Sequence, residues 1–327
     1  MPQFFLRNIA KFVLLMIAVS MVVFALVAAS PIDPVQANVG QNALLTMSDE
    51  HRAQLSAYWG SDLPLWERYA SWASGILQGD WGTSLRYDAP VLQVVAQKAQ
   101  NSLLLMFTAW IISGVLGLLM GILAGANRGR LIDRLVKGYC YVLASTPTFW
   151  LGLLVLMIFA VQLGWFPIGF STPIGVKAAD VTVFQQLQCM VLPALTLSLT
   201  GVANIALHTR EKTIDVLESP YMRFALSRGE GKTKAILHHG LRNLALPALT
   251  LQFASISEIF GGSVLVEQVF SYPGLGQAAV TAGLGGDAPL LAAIALVSAA
   301  IVFGGNLIAN ILYGVIDPRV KGGESHE

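Results

Sequence analysis

The amino-acid sequence predicts an all-α integral membrane protein with six transmembrane helices. Hydrophobic residues make up 55% of the 327 positions and charged residues only 12%, whereas a soluble domain usually carries about 25% charged residues. The apolar residues form long blocks, and a membrane-spanning helix needs about 20 mainly apolar residues. Basic residues also cluster in alternate connections between these blocks, which is typical of membrane proteins with a fixed orientation.

Six blocks are long enough to cross a bilayer, although Glu258 interrupts the fifth. The predicted spans are residues 10–30, 101–126, 138–163, 190–209, 247–269 and 289–314. They divide the chain into a first helix with its short leading segment (1–30), an external segment (31–98), a five-helix core (99–316) that includes a long cytoplasmic connection (210–242), and a tail (317–327).

The first block also resembles a signal peptide, because Arg7 and Lys11 precede it and small residues follow it. Its apolar run is longer than the usual hydrophobic region of a signal peptide, and Pro31 lies just after the best cleavage point. We therefore expect this segment to be retained as a helix.

The distribution of basic residues predicts that both termini are cytoplasmic. An orientation with the N-terminus inside leaves few of the 20 Lys and Arg residues outside, namely Arg52, Arg68, Arg86, Lys98 and Lys177. The other 15 then lie on the cytoplasmic side, where short loops of membrane proteins are enriched in positive charge. In this orientation Cys140 and Cys189 lie near opposite faces of the membrane. They are too far apart for a disulfide, which needs Cα atoms within about 7 Å.

The external segment 31–98 is rich in aromatic residues: Tyr58, Trp59, Trp66, Tyr69, Trp72 and Trp81. Such residues favour the membrane interface or a docking surface. Two compatible interpretations stay open, a small cap with its own core and a contact surface for an external protein.

The cytoplasmic connection 210–242 predicts one short helix. Ser219 and Pro220 indicate its start, because serine favours the N-cap and proline the first helical position. Gly229 and Gly231 indicate its end. Four residues share one face by helical spacing, namely Tyr221, Phe224, Ala225 and Arg228. A helix of this length is not stable alone, so we expect it to lie on the membrane surface or to fit into a partner.

Three polar residues inside the predicted spans are candidates for a transport pathway. Glu258 lies near the middle of the fifth span, and intramembrane carboxylates usually face an interior or a wet cavity. A structural hydrogen-bonding role remains the alternative for it. Asn306 and Asn310 are one turn apart in the sixth span, where they predict either hydrogen bonds between helices or the lining of a path.

The second span carries glycines at intervals of four residues, Gly117, Gly121 and Gly125. Small residues at this spacing allow two membrane helices to approach closely. We therefore expect this column to pack against another helix.

The sequence predicts no catalytic, nucleotide-binding or metal site. Lys232 and Thr233 resemble the end of a phosphate-binding loop, but position 226, which would have to be the first glycine, is Leu226. His238 and His239 are adjacent, whereas metal ligands on one helix face are three or four residues apart.

Several motifs together resemble the inner-membrane permeases of peptide and nickel ATP-binding-cassette importers. They are Gly79-Asp80-Trp81-Gly82-Thr83-Ser84, Thr146-Pro147-Thr148-Phe149-Trp150-Leu151-Gly152, Leu192-Pro193-Ala194-Leu195-Thr196, His239-Gly240-Leu241-Arg242-Asn243, Val269-Phe270-Ser271-Tyr272-Pro273-Gly274-Leu275-Gly276 and Asp317-Pro318-Arg319. The resemblance covers nearly the whole chain. It implies a type I importer permease fold, a multi-pass location in the bacterial inner membrane, and a role in transport rather than in catalysis.

The resemblance also implies that the short cytoplasmic helix is a coupling helix that docks on a separate ATPase. Ala225 and Gly229 match the second alanine and the glycine of the family's EAA motif. Arg223 and Phe224 stand where that motif has its glutamate and first alanine. With Tyr221 and Arg228 they form the predicted ATPase-coupling set.

The importer that this resemblance implies contains other subunits. They would be a second homologous permease, one or two ATPases that bind the ATP, and an external solute-binding protein, with no nucleic acid involved. The implied solute is a peptide, nickel or a metal chelate, and the residues do not choose among these. Two other functions remain possible, a stand-alone secondary transporter and a membrane scaffold.

Overall fold

The computed structural model describes residues 2–29, 64–84, 86–171 and 181–316, which form helices and one short hairpin. The α-helices are α1 Pro2–Ala28, α2 Leu65–Gln78, α3 Val91–Ala126, α4 Leu131–Ala144, α5 Thr148–Val155, α6 Val183–Glu218, α7 Pro220–Ser227, α8 Lys232–Ala235, α9 Leu241–Ala254, α10 Ile256–Val269, α11 Leu275–Leu284 and α12 Ala288–Ile316. Two π-helical segments continue them, π1 Leu156–Gln162 after α5 and π2 Ile236–Gly240 between α8 and α9. Strands β1 Thr83–Ser84 and β2 Ala89–Pro90 pair antiparallel, with Thr83 opposite Pro90.

Four of the described helices are long and apolar enough to cross a membrane, and the number is up to six if two bent helix pairs each count as one span. The predicted spans 101–126, 190–209 and 289–314 lie within the uninterrupted helices α3, α6 and α12. The span 10–30 lies on α1 up to its end at Ala28. The structure thus confirms the predicted all-helical membrane class.

The other two predicted spans are not uninterrupted helices. Between α4 and the helix formed by α5 and π1 the chain bends by 109°, and between α9 and α10 it bends by 52°. Pro147 explains the first break, because it precedes α5 in an extended conformation and a proline disfavours helix at the residue before it. Apolar block length predicted the membrane segments here but not these bends.

The chain divides into two compact units, and the first contains Met1–Ser102 and Pro273–Gly304. Its core joins the start of α3 to α11 and to the start of α12, and its largest fully buried members are Val91, Leu275 and Leu290. The aromatic residues Trp81 and Tyr87 of the hairpin region pack against this core. Burial raises the pKa of the Tyr87 phenol.

A buried carboxylate joins the hairpin to the start of α12. Asp287 accepts hydrogen bonds from the Ser84 hydroxyl (2.6 Å), the Arg86 amide (3.1 Å) and the Leu290 amide (3.2 Å). Asp287 and Ser84 are both fully buried. We call this arrangement, residues 81–84 and 86–90 with Asp287, the hairpin cap.

The aromatic segment that is predicted to be external packs partly on the first helix. The rings of Tyr69 and Trp72 in α2 each lie 5.5 Å from the ring of Phe24 in α1. The Tyr69 hydroxyl is also within 2.8 Å of Ser20 Oγ. Trp66 in contrast is 70% exposed, so α2 has both a packed and a free aromatic face. Tyr58 and Trp59 lie outside the described residues.

The second unit contains Leu103–Tyr272 and Gly305–Glu327, and helix α6 packs against α4, α5, α9 and α10 in it. The glycine column of α3 faces α6 at very short range. A Cβ atom would lie 2.7 Å from Ile205 if added at Gly117, 2.5 Å from Thr209 at Gly121 and 2.5 Å from Thr213 at Gly125. This confirms the predicted close packing, since no larger residue fits without a shift of α3 or α6.

Candidate coupling site and transport pathway

The predicted short cytoplasmic helix is α7, which begins and ends at the expected residues. Ser219 precedes it in an extended conformation, and Pro220 occupies its first position. Gly229 follows it with a φ of +86°, a left-handed conformation that favours glycine. The Ser219 side chain does not cap the helix, because its hydroxyl donates a hydrogen bond back to the Val216 carbonyl (2.5 Å).

One face of α7 is buried against the second unit. Met222 is fully buried and Ala225 is 7% exposed. Both belong to an apolar cluster with Val216, Ala235, Ile236 and Leu244. Ala225 was predicted to share one face with Tyr221, Phe224 and Arg228, whereas in the structure it is buried and the other three are exposed. Ala225 instead anchors the helix, because it lies one turn from Met222 on the inner side.

The opposite face of α7 is exposed and mixes aromatic with cationic groups. Phe224 is 63% exposed and Tyr221 is 43% exposed. Arg223, Arg228 and Gly229 are also exposed. The Arg228 guanidinium lies 5.9 Å from the centre of the Phe224 ring, within the range of a cation–π interaction. Such a surface is chemically suited to an apolar pocket with acidic groups at its edge.

Two side-chain contacts hold α7 and the residue after Gly229 to the π2–α9 region. Asn243 Nδ2 donates a hydrogen bond to the Tyr221 hydroxyl (2.8 Å). Beyond Gly229, the Glu230 carboxylate lies 3.0 Å from His239 Nε2. The sequence predicted a partner contact for Tyr221 but not its bond to Asn243. The 22 residues between them give no periodic signal that a single sequence could show.

The short turn between α3 and α4 contacts both flanks of α7. Arg128 forms an ion pair with Glu218 (2.6 Å), the last residue of α6. The Lys232 ammonium donates to the carbonyl of Ala126. The sequence did not predict these contacts either, because they join residues about 90 to 106 positions apart.

Beneath that turn lies a buried ion pair. The Asp133 carboxylate accepts two hydrogen bonds from the Arg210 guanidinium, from Nε at 2.5 Å and from Nη2 at 2.9 Å. It also accepts one from the Gly129 amide at 2.8 Å. Asp133 is 1% exposed and Arg210 is 8% exposed, so both members of the pair are shielded from water. Arg210 contacts Glu211 as well.

Glu258 lies in the first turn of α10, directly after the 52° bend of the fifth span. The residue is exposed on the surface of the chain, and among the described residues its carboxylate forms no hydrogen bond or ion pair. Its neighbour Ser257 and Asn306 of α12 exchange hydrogen bonds of 3.2 and 3.0 Å. The structure therefore brings Asn306 close to the Glu258 turn. Asn310 lies further along α12, beyond the residues whose side chains are described.

The bend beside Glu258 is held by a reciprocal contact with α3. The Trp110 indole Nε1 donates to the Gln252 carbonyl (2.8 Å), and the Gln252 amide donates to the Trp110 carbonyl. The Ser255 hydroxyl also donates to the Gln252 carbonyl (2.8 Å). A break in a membrane helix frees backbone polar groups, and it is tolerated where such partners satisfy them.

Two family models together match almost the whole chain. Residues 117–322 match the family described as binding-protein-dependent transport system inner membrane component, and residues 1–110 match the N-terminal component of the same system. The chain belongs to this family. It is therefore the permease subunit of an ATP-binding-cassette importer and a component of the inner membrane, as the sequence predicted. Membership implies an ATPase and a binding protein as partners.

Curated relatives match over nearly their whole length. The chain is 32% identical to the oligopeptide transport system permease protein AppB of Bacillus subtilis, with 98% of this chain and 100% of the relative covered. It is 30% identical to the dipeptide transport system permease protein DppB of Escherichia coli K12, with 98% and 99% covered. It is 32% identical to the glutathione transport system permease protein GsiC of Escherichia coli O1:K1, again with 98% and 99% covered. These matches confirm the prediction of an importer permease rather than a stand-alone transporter or a scaffold.

Proposed function

We propose that this permease forms half of a membrane pathway for short peptides, and that a second homologous permease forms the other half. The named relatives transport oligopeptides, dipeptides and glutathione, which supports a peptide rather than nickel or a metal chelate. ATP is bound and hydrolysed on the partner ATPase, which docks on α7.

The exposed aromatic and cationic face of α7 is the observation that supports ATPase docking. Phe224 is the largest apolar group of this face and is 63% exposed. Full burial of a phenylalanine stabilises by roughly 1.5–3 kcal/mol. Phe224 therefore anchors the ATPase, while Arg223 and Arg228 contact acidic groups around it.

The ATPase contact is tested by Phe224→Ala in the reconstituted complex. Loss of the ring should weaken ATPase association by about one to two powers of ten, because the side chain contributes little to the fold of the permease itself. Leu131→Ala is a matched control, since Leu131 is also exposed (69%) but lies on α4. Full ATPase copurification with Phe224→Ala would contradict docking at α7.

Glu258 supports a pathway that has a negatively charged binding site near mid-membrane. A carboxylate that faces lipid at this depth is costly, so an exposed Glu258 with no partner among the described residues faces either the pathway or the second permease. The N-terminal ammonium of a peptide is a suitable counter-charge. The pair formed by Ser257 and Asn306 supplies neutral polar groups beside it.

The pathway role is tested by Glu258→Gln in proteoliposomes that contain the whole importer. The maximal rate of peptide uptake should fall about tenfold, since about 1.4 kcal/mol of charge interaction is removed, while ATPase copurification stays normal. Asp215→Asn is the control, because Asp215 is an exposed carboxylate on α6 outside the proposed pathway. Unchanged uptake with Glu258→Gln would remove this residue from the pathway.

The orientation follows from the 15 basic residues on one side and five on the other. Both native cysteines are buried, which leaves introduced cysteines as reporters. A cysteine at Leu77, which is 88% exposed, should react with an impermeant thiol reagent in intact cells. A cysteine at Arg130 should react only after the membrane is opened. The reverse pattern would overturn the orientation and with it the placement of α7 toward the ATPase.

A further inference from the structure

The turn between α3 and α4 holds the coupling helix from both sides. Arg128 pairs with Glu218, which lies one residue before Ser219. Lys232, which lies one residue after Gly231, donates to the Ala126 carbonyl. Helix α7 and its left-handed end therefore lie between two attachment points on a single turn. We call residues 126–133 the bracket.

The bracket is fixed to α6 by the buried pair of Asp133 and Arg210. Two hydrogen bonds from one guanidinium to one carboxylate define both distance and orientation. The third hydrogen bond, from Gly129, fixes the turn itself on the same carboxylate. A buried ion pair is often no more stabilising than apolar residues of similar volume. What it provides here is a defined position of the turn relative to α6.

The bracket also continues directly into a tightly packed helix pair. Thr209 and Thr213 of α6 contact the glycine column of α3, where an added Cβ would lie 2.5 Å from their Cβ atoms. Arg210 lies between these two threonines in sequence, so the buried pair and the close helix contact share the same turns of α6. Helices α3 and α6 cannot slide past each other there without a clash, since protein interiors are close-packed.

We infer that the bracket positions the coupling helix and transmits its movement to α3 and α6 together. Arg128 and Glu218 are positioning residues, and Asp133 and Arg210 are the anchor on which they depend. This inference rests on the proposed docking of the ATPase at α7. It adds that docking alone is not sufficient, because a docked helix with a loose bracket moves without moving the spans.

The test uses the exposed pair, whose side chains are 61% and 58% exposed and whose replacement does not threaten folding. The variants are Arg128→Glu, Glu218→Arg and the double exchange, each measured in the reconstituted importer. Arg130→Glu is the matched control, because it changes the same charge in the same turn and its exposed side chain has no hydrogen bond or ion pair among the described residues. The measurements are ATPase copurification and the stimulation of ATP hydrolysis by the peptide-loaded binding protein.

Each single exchange should leave ATPase copurification unchanged and lower the stimulated hydrolysis up to about fivefold, the largest factor expected for a surface ion pair. The double exchange should restore it, whereas Arg130→Glu should have no effect. Full stimulation in both single variants would overturn the bracket but not docking. Loss of copurification in the single variants would also overturn it, because the turn would then act in docking itself. Phe224→Ala tests docking separately, so failure of the proposed function is distinguishable from failure of this inference.

Discussion

Each of the two units of this permease contains a buried carboxylate, and the two carboxylates are satisfied by different kinds of donor. Asp287 in the hairpin cap accepts one hydroxyl and two backbone amides, whereas Asp133 in the bracket accepts a guanidinium and one backbone amide. Both are at most 1% exposed. Every donor to Asp287 is neutral, and the donors lie on the hairpin and at the start of α12, so this carboxylate stabilises part of the first unit.

The bracket carboxylate is different because its partner is a second buried charge. Removal of one member leaves the other charged and shielded from water, which costs far more than the loss of a neutral hydrogen bond. The pair also fixes the turn that contacts the residues on either side of α7. The cap therefore stabilises one unit, whereas the bracket makes the position of a helix depend on the integrity of an ion pair.

The comparison is tested most strongly by Asp133→Ala. Arg210 would remain buried, with the largely exposed Glu211 as its remaining ion-pair partner among the described residues. Breaking a buried pair by removing one partner costs about 3–5 kcal/mol, so the purified complex should show a large fall in apparent melting temperature. The double variant Asp133→Ala with Arg210→Met should recover most of this loss, because no buried charge is then left unpaired. Glu218→Ala, which breaks an exposed pair, is the control and should cost less than about 1 kcal/mol. Equal effects of Asp133→Ala and Glu218→Ala would remove the distinction between buried anchor and surface contact.

The hairpin cap should be the less sensitive of the two regions. Asp287→Ala leaves the Ser84 hydroxyl and two amides without their acceptor, at a cost of about 1–3 kcal/mol. Ser84→Ala removes one donor and should cost about 1 kcal/mol. Ser74→Ala is the control, since the exposed Ser74 hydroxyl donates only to a carbonyl of its own helix. Thermal unfolding of the purified complex measures all three. A loss for Asp287→Ala that exceeds the loss for Asp133→Ala would invert the comparison.

Much of this architecture follows from the sequence, and the omissions have a common physical cause. Apolar block length locates the membrane segments, the spacing of Gly117, Gly121 and Gly125 predicts a close helix contact, and Ser219, Pro220 and Gly229 predict the bounds of α7. These signals are local, because they depend on residues within a few turns of each other. The ion pair of Asp133 with Arg210 joins residues 77 positions apart, and one sequence gives no periodicity for such a contact.

The error at Ala225 has a local cause as well. Helical spacing assigns Tyr221, Phe224 and Ala225 to a common stripe, but such a stripe is wide enough to include the boundary between an exposed and a buried face. Which side of the stripe is buried depends on the neighbouring helix ends. The apolar cluster of Met222 with Val216 and Leu244 decides it, and that cluster forms only in the folded unit. The docking role of the remaining face stays a prediction.

The left-handed end of α7 should have an intermediate effect. Gly229→Ala forces a side chain into a φ of +86°, at a cost of roughly 1–2 kcal/mol. Gly231→Ala is a close control, because Gly231 has a φ of −65° and an added Cβ meets no atom within 4 Å at either position. The stimulated ATPase rate should fall for Gly229→Ala and change little for Gly231→Ala. Similar rates in the two variants would show that the end of α7 is not conformationally constrained during coupling.

Tyr221→Phe should have the smallest effect and separates two roles of one side chain. The change keeps the ring, which is 43% exposed, and removes only the hydroxyl that accepts a hydrogen bond from Asn243 (2.8 Å). An exposed hydrogen bond contributes about 0.5–1 kcal/mol, so the melting temperature should fall only slightly. If the ring contributes to docking, ATPase copurification should stay normal in Tyr221→Phe and fall in Tyr221→Ala. If the hydroxyl is required instead, ATPase copurification should fall equally in Tyr221→Phe, Tyr221→Ala and Asn243→Ala. Tyr221 would then stabilise the position of α7 and would not belong to the surface that contacts the ATPase.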